Sequence, residues 1–158
     1  MLTGTVPSLS IATLWWRPVP GGPWPLAASA AGDDGSPEGI LADLVAPVLR
    51  AFGQRFRLSE KVLWGNVASA LGGAVGMLAG HRPELAGRAG ALADEMLELP
   101  QLRGTGAFVR PDPARSRRFF VRRSCCLFYR IPGAGMCGDC VLTPDEVRRQ
   151  QWQQALSR

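Results

Sequence analysis

The chain has 158 residues, which is long enough for one domain with its own hydrophobic core. Its hydrophobic content of 46% and charged content of 20% are ordinary for a globular protein. The net charge of +5 is modest and there is a single tyrosine, so the composition does not favour a nucleic-acid-binding module.

The first 36 residues predict extended or irregular structure. Five prolines fall between residues 7 and 25, which forbids a long helix there. Leu14-Trp15-Trp16 is a candidate short strand, and we expect Trp15, Trp16 and Trp24 to pack on the core rather than to line an aromatic pocket. Because Arg17 and the prolines interrupt the only apolar stretch, we expect no signal peptide and a cytoplasmic protein.

An amphipathic helix is predicted over residues 38–52. Its apolar residues recur at three- and four-residue spacing, Pro37 suits the first turn, and Pro47 predicts a kink. A second helix is expected to begin after Ser59 as its N-cap. A third is expected to begin at Pro83 and to end at Pro100.

The second helix contains a run of nineteen uncharged residues, Val62 to Gly80. That length can cross a bilayer, but five glycines, Asn66 and Ser69 favour a buried helix of a soluble protein. We therefore expect no membrane span, with peripheral membrane contact left open. Small residues four apart predict a smooth packing face: Ala68, Gly72, Gly76 and Gly80. Trp64 is expected to be a core anchor and Asn66 a buried, hydrogen-bonded amide. The only histidine, His81, is expected to be an exposed residue at the helix end.

The chain changes character after Gly104. Residues 106–110 and 117–123 predict two strands joined by a turn containing two prolines. From Arg110 to Arg130 there are seven arginines and a single acid, Asp112. A last helix, roughly 144–156, is predicted with Thr143 as cap and Glu146 completing a capping box. The fold class expected is α+β, mostly α: a helical core with a small β-hairpin leading into a C-terminal cysteine cluster.

All four cysteines lie within seventeen residues, as C-C-x10-C-x2-C: Cys125, Cys126, Cys137 and Cys140. Four thiolates this close together favour zinc, cuprous copper or an iron–sulfur cluster. Zinc sites usually offer two C-x2-4-C knuckles, so the adjacent pair Cys125-Cys126 lowers zinc without excluding it. On spacing alone iron–sulfur leads, zinc follows, and redox or disulfide cysteines remain open.

The cysteine motif, with Arg123-Ser124 before it and Leu127-Phe128-Tyr129-Arg130 after its first pair, resembles the C-terminal motif of the ferric iron reductase (FhuF-like) family. The stretch from Val62 to Ala70 is also similar to a helix of that family's actinobacterial-type members. The resemblance runs from about Val6 to Leu142. Because members usually have a longer amino-terminal part, it implies a single FhuF-like domain, 1–158, shortened at its amino terminus, with residues 122–142 as the [2Fe-2S]-binding motif.

The resemblance further implies that Cys125, Cys126, Cys137 and Cys140 ligate a [2Fe-2S] cluster. The implied activity is reduction of Fe(III) held by a hydroxamate-type siderophore in the cytoplasm, with a ferredoxin-like or reductase electron donor and no nucleic acid. Arg122, Arg123 and Arg130 are nearest in sequence to the cysteines and are candidates for stabilising the reduced cluster. The alternatives are a non-enzymatic iron–sulfur sensor and a structural zinc-binding module.

Overall fold

The computed structural model describes residues 6–21, 24–29, 32 and 34–157. They fall into two compact units, Met1–Arg57 and Leu58–Arg158. Mostly helical elements with two small antiparallel strand pairs confirm the predicted α+β fold class. The single domain over residues 1–158 stays a prediction.

The first unit contains a two-stranded hairpin followed by a long helical segment. Its elements are β1 Leu14–Trp16, β2 Leu26–Ala28, α1 Pro37–Gly39, a π-helical turn Ile40–Val45 and α2 Ala46–Phe56. The helix begins at Ser36, whose hydroxyl accepts the Gly39 N–H at 3.0 Å. The π-helical turn ends two residues before Pro47, which has no N–H to donate and whose ring would clash with the carbonyl four residues earlier in a regular α-helix. The predicted irregularity at Pro47 therefore takes the form of a π-helical turn.

The tryptophans of the first unit do not pack in a core, so that prediction is wrong. Trp15, Trp16 and Trp24 are 65%, 58% and 56% exposed. Trp16 and Trp24 instead stack on each other, with ring centroids 5.1 Å apart and planes 17° from parallel. The two rings shield part of each other's apolar surface from water.

The second unit is built around one long helix. Its elements are α3 Glu60–His81, a 3₁₀ turn Pro83–Leu85, α4 Ala86–Leu97, β3 Gly106–Val109, β4 Phe119–Arg122, a 3₁₀ turn Phe128–Arg130 and α5 Asp145–Leu156. Ser59 caps α3 as predicted, since its hydroxyl accepts the Val62 N–H at 3.4 Å. Helix α3 packs against α4 and against both strands of the β3–β4 hairpin.

Helix α3 packs through a row of small residues as predicted, but the row follows a different line around the helix from the predicted one. Gly65, Ala68 and Gly72 are buried, whereas Gly76 and Gly80 are exposed. Residues spaced strictly by four advance 400° per step around an α-helix, so the row drifts by 40° each time. Alternating spacings of three and four keep a row on one side, which is why burial continues at Val75 instead.

By length and composition alone, α3 is sufficient to cross a membrane. The core helix of a soluble protein meets the same two criteria, and α3 is the helix on which the hairpin and α4 pack. The predicted absence of a membrane span stays a prediction.

The hairpin forms in the predicted place, with strands slightly shorter than predicted. Gly106 pairs with Arg122 and Val109 with Phe119. Phe120 is buried between α3 and β3, where a Cβ on Gly72 would lie 2.6 Å from the Phe120 Cβ. The absence of a side chain at Gly72 therefore lets the hairpin lie directly on the helix.

The last helix, α5, starts at Asp145, one residue after the predicted start, and the predicted capping box is wrong. Thr143 is buried and its hydroxyl faces the Met136 sulfur at 3.6 Å instead of the helix N–H groups. Glu146 accepts hydrogen bonds from Arg149 and Gln150. Trp152 of this helix stacks on Phe119 of the hairpin, with ring centroids 5.6 Å apart.

Candidate metal centre

The chain turns sharply after Cys125-Cys126. Adjacent side chains on a straight strand point to opposite faces, so both sulfurs can serve one site only if the backbone bends. Leu127 supplies that bend with a left-handed conformation, φ 67° and ψ 4°, which non-glycine residues rarely adopt. The Leu127 N–H then donates to the Cys125 sulfur at 3.3 Å, and the Phe128 N–H donates to the Cys126 sulfur at 3.4 Å.

The second cysteine pair lies on a tight turn at the return of the same loop. Gly133 and Gly135, with φ of 76° and 69°, bring the chain back. The Cys140 N–H donates to the Cys137 carbonyl at 3.2 Å, and the Leu142 N–H donates to the Cys140 sulfur at 3.4 Å. Three of the four sulfurs thus accept a backbone N–H from the residue two positions later.

The two halves of the loop meet at Cys126 and Cys137, whose sulfurs are 3.4 Å apart. Burial raises the pKa of the Cys137 thiol to about 12, and its contacts with Cys126 and Asp139 act in the same direction. Since a metal takes the thiolate, binding at Cys137 must displace a proton.

The base of the cysteine loop is fixed to α3 and to the hairpin. The Arg122 N–H donates to the Asp139 carbonyl at 3.1 Å, and its buried guanidinium donates to the Ser124 carbonyl at 3.1 Å. The same guanidinium donates to the Asn66 side-chain oxygen at 2.7 Å. Ser124 packs on α3 at Gly65 so closely that a Cβ there would overlap the Ser124 hydroxyl oxygen.

Helix α5 holds the loop from its other end. Arg148 donates to the Cys140 carbonyl at 3.2 Å and to the Thr143 carbonyl at 2.8 Å. Its side chain is only 14% exposed, and it also pairs with Asp145 at 2.6 Å. Arg148 and the Asn66–Arg122–Ser124 network are contacts that sequence reasoning missed, because they join residues far apart in the chain and carry no spacing pattern.

The seven arginines between 110 and 130 have distinct roles. Arg118 pairs with Asp94 at 2.7 Å, whereas Arg115 and Arg117 donate to the Leu156 and Ala155 carbonyls at the C-terminal end of α5. A cation there also stabilises the negative end of the helix dipole. The three arginines that the sequence analysis proposed to stabilise a reduced cluster differ in burial. Arg122 is 3% exposed, whereas Arg123 and Arg130 lie on the surface.

The structure also shows the surroundings of three other residues for which the sequence analysis made predictions. His81 is exposed at the last residue of α3, as expected. Trp64 is half-buried and, together with Lys61 and Thr105, lines a cleft of about 490 Å³. Asn66 has the predicted hydrogen bond but lies at an exposed position of α3.

The four cysteine thiols are the type of donor that an iron–sulfur cluster takes. Over the described ranges, 6–21, 24–29, 32 and 34–157, the structure forms no group of three or more His, Cys, Asp or Glu side chains arranged for one metal ion. What it forms is a close pair, Cys126 with Cys137, in a loop that also carries Cys125 and Cys140. A [2Fe-2S] cluster takes four cysteine thiolates, which is the number that this loop carries.

Comparison with protein families also supports an iron–sulfur cluster. Residues 122–142 match the family model described as the FhuF 2Fe-2S C-terminal domain. The match supports the resemblance to FhuF-like proteins and a [2Fe-2S] cluster as the cofactor. Neither the curated proteins nor the solved structures contain a significant match to the chain.

Proposed function

We propose that this protein is a cytoplasmic ferric-siderophore reductase in which Cys125, Cys126, Cys137 and Cys140 hold the [2Fe-2S] cluster. Residues 122–142 form the cluster-binding motif. The observation that carries the proposal is the cysteine loop, in which sulfurs from both halves meet at 3.4 Å within a segment that matches a [2Fe-2S] domain.

The reaction is a one-electron reduction. When held by Cys125, Cys126, Cys137 and Cys140, a [2Fe-2S] cluster would supply one-electron chemistry between a ferredoxin-like or reductase donor and the ferric substrate. The substrate Fe(III), held by hydroxamate oxygens, becomes Fe(II), and no bond within the siderophore breaks. Hard anionic oxygens hold Fe(III) far more tightly than Fe(II), so reduction releases the iron.

The exposure of the cysteine loop supports this proposal. Phe128, Tyr129, Ile131 and Met136 of the cysteine loop are 42–55% exposed. A bulky metal chelate can approach such a loop without entering a closed pocket. Arg123 and Arg130, also exposed, place positive charge beside the loop, which attracts an anionic chelate or an acidic donor protein.

The first test is the spectrum of the protein purified without oxygen. We expect a red-brown protein with about two irons per chain, visible absorption that bleaches on dithionite, and an EPR signal after reduction. Replacing any one of the four cysteines with serine is expected to remove or destabilise these signals. A colourless protein with one zinc per chain would contradict the proposal and favour the structural zinc module.

The second test is turnover. Dithionite-reduced protein, freed of excess reductant, is mixed with a ferric hydroxamate chelate and a ferrous-specific chelator. We expect cluster reoxidation and one Fe(II) trapped per electron lost. An intact cluster that is not reoxidised would reject the reductase and favour the iron–sulfur sensor.

A further inference from the structure

Arg122 is the last residue of β4 and lies between the two cysteine pairs. Its backbone N–H bonds the Asp139 carbonyl, next to Cys140, and its guanidinium bonds the Ser124 carbonyl, next to Cys125. One buried residue therefore connects both ends of the cysteine loop.

The charge of Arg122 has no carboxylate partner among the ion pairs of the described residues. Its side-chain acceptors are neutral, namely the Ser124 carbonyl and the Asn66 amide oxygen at 2.7 Å. A buried cation of this kind is unfavourable unless negative charge lies nearby. The four thiolates of the adjacent loop would supply that charge, since a [2Fe-2S] cluster with four cysteines is −2 when oxidised and −3 when reduced.

We propose that Arg122 is the buried countercharge of the cluster and a positioning residue for its loop, and that it raises the cluster's reduction potential. The inference rests on the ligand set of the proposed function. Arg123 and Arg130 contribute less because their charges are in water, where salt and solvent screen them. The neutrality of Asn66 matters equally, since a carboxylate at this position would cancel the charge of Arg122.

The decisive variant is Asn66→Asp, which keeps the shape of the side chain and places a carboxylate on the Arg122 guanidinium. Position 66 is exposed, so the change is compatible with folding. At a fixed ambient potential we expect the ratio of reduced to oxidised cluster to fall at least tenfold, which is about 59 mV for a one-electron couple. The readout is an EPR-monitored redox titration of anaerobic protein, with no siderophore present.

Two controls separate charge from structure. Asn66→Ala removes the hydrogen bond but leaves the Arg122 charge, and Ala70→Asp adds the same new charge one helical turn away at an exposed position. We expect both to change the ratio by less than about twofold, because Asn66→Ala introduces no charge and the exposed charge of Ala70→Asp is screened by solvent. Equal potentials for Asn66→Asp and these two controls would overturn the inference.

Arg122→Gln gives a second measurement. We expect either a lowered potential or loss of the cluster, because the countercharge and the loop anchor disappear together. An Arg122→Gln protein with a full cluster and an unchanged potential would overturn the inference. A wild-type protein without any cluster would overturn both this inference and the proposed function. A protein that binds the cluster but does not reduce the ferric siderophore would overturn the proposed function alone, and the measured reduction potentials would still decide this inference.

Discussion

The contact between Gly65 and Ser124 offers the sharpest test of how the cysteine loop is supported. A methyl group at Gly65 would overlap the Ser124 hydroxyl oxygen, whereas Gly73, on the same helix, has open space around it. Gly→Ala in a helix gains up to about 1 kcal/mol in propensity, so Gly73→Ala is expected to stabilise the protein by that amount. Gly65→Ala has the same gain, but overpacking costs about 1–3 kcal/mol.

The difference in unfolding free energy between the two variants therefore isolates the overlap, at about 1–3 kcal/mol. For a chain of this size this corresponds to about 2–4 °C in Tm per kcal/mol. Chemical and thermal denaturation followed by circular dichroism, on anaerobic full-length protein, measure it. Iron content checks whether the displaced Ser124 also moves Cys125 and lowers cluster occupancy.

Ser124→Ala completes the test. The Ser124 hydroxyl is buried without a hydrogen-bond partner among the described residues, so removing it is expected to be neutral or to stabilise by about 1 kcal/mol. In the Gly65→Ala background it removes the overlapping atom and is expected to recover most of the loss, with a coupling energy of about 1 kcal/mol or more. Equal stabilities of Gly65→Ala and Gly73→Ala, or strictly additive effects, would refute the reasoning.

Two further predictions concern the supports on either side of the loop. Gly72→Ala is expected to destabilise the protein by about 1–3 kcal/mol relative to Gly76→Ala, because a Cβ at 72 meets Phe120 whereas one at 76 meets no described atom within 4 Å. Urea unfolding of both variants checks this. Arg148→Ala is expected to speed loss of iron to a chelator several-fold, because it removes the hydrogen bonds to the Cys140 and Thr143 carbonyls that hold the end of the cysteine loop. Arg149→Ala is the control, since Arg149 is exposed and pairs only with Glu146 among the described residues; equal rates would contradict the prediction.

Local signals predicted most of the secondary structure. The Ser59 cap, the β3–β4 hairpin and the fold class were all accessible from short-range patterns, since caps and strand alternation act over a few residues. The Thr143 capping box was wrong because a tertiary contact with Met136 takes the hydroxyl that the local pattern assigns to the helix. The prediction that the tryptophans pack on the core was wrong for a different reason. An apolar side chain is buried only where another surface covers it, and composition does not show whether such a surface exists.

For the candidate site, the sequence identified the four cysteines as one group but not their support. It placed Arg122, Arg123 and Arg130 on equal terms because each is near a cysteine in the chain. The structure separates them by burial, a property fixed by where α3 and the hairpin meet and not by sequence distance. Asn66 and Arg148 lie in other helices, so no local pattern relates them to the loop.

The hydrogen bond between the Arg122 N–H and the Asp139 carbonyl closes the cysteine loop at its base. Because this hydrogen bond ties the two ends of the loop together, the number of residues between Cys126 and Cys137, now ten, can change while the two cysteine pairs stay in place. Chain entropy opposes such changes weakly, since doubling a flexible loop costs only about 0.6 kcal/mol. A longer spacer between the two cysteine turns is therefore expected to be tolerated, provided that Leu127, Gly133 and Gly135 keep the turns on either side.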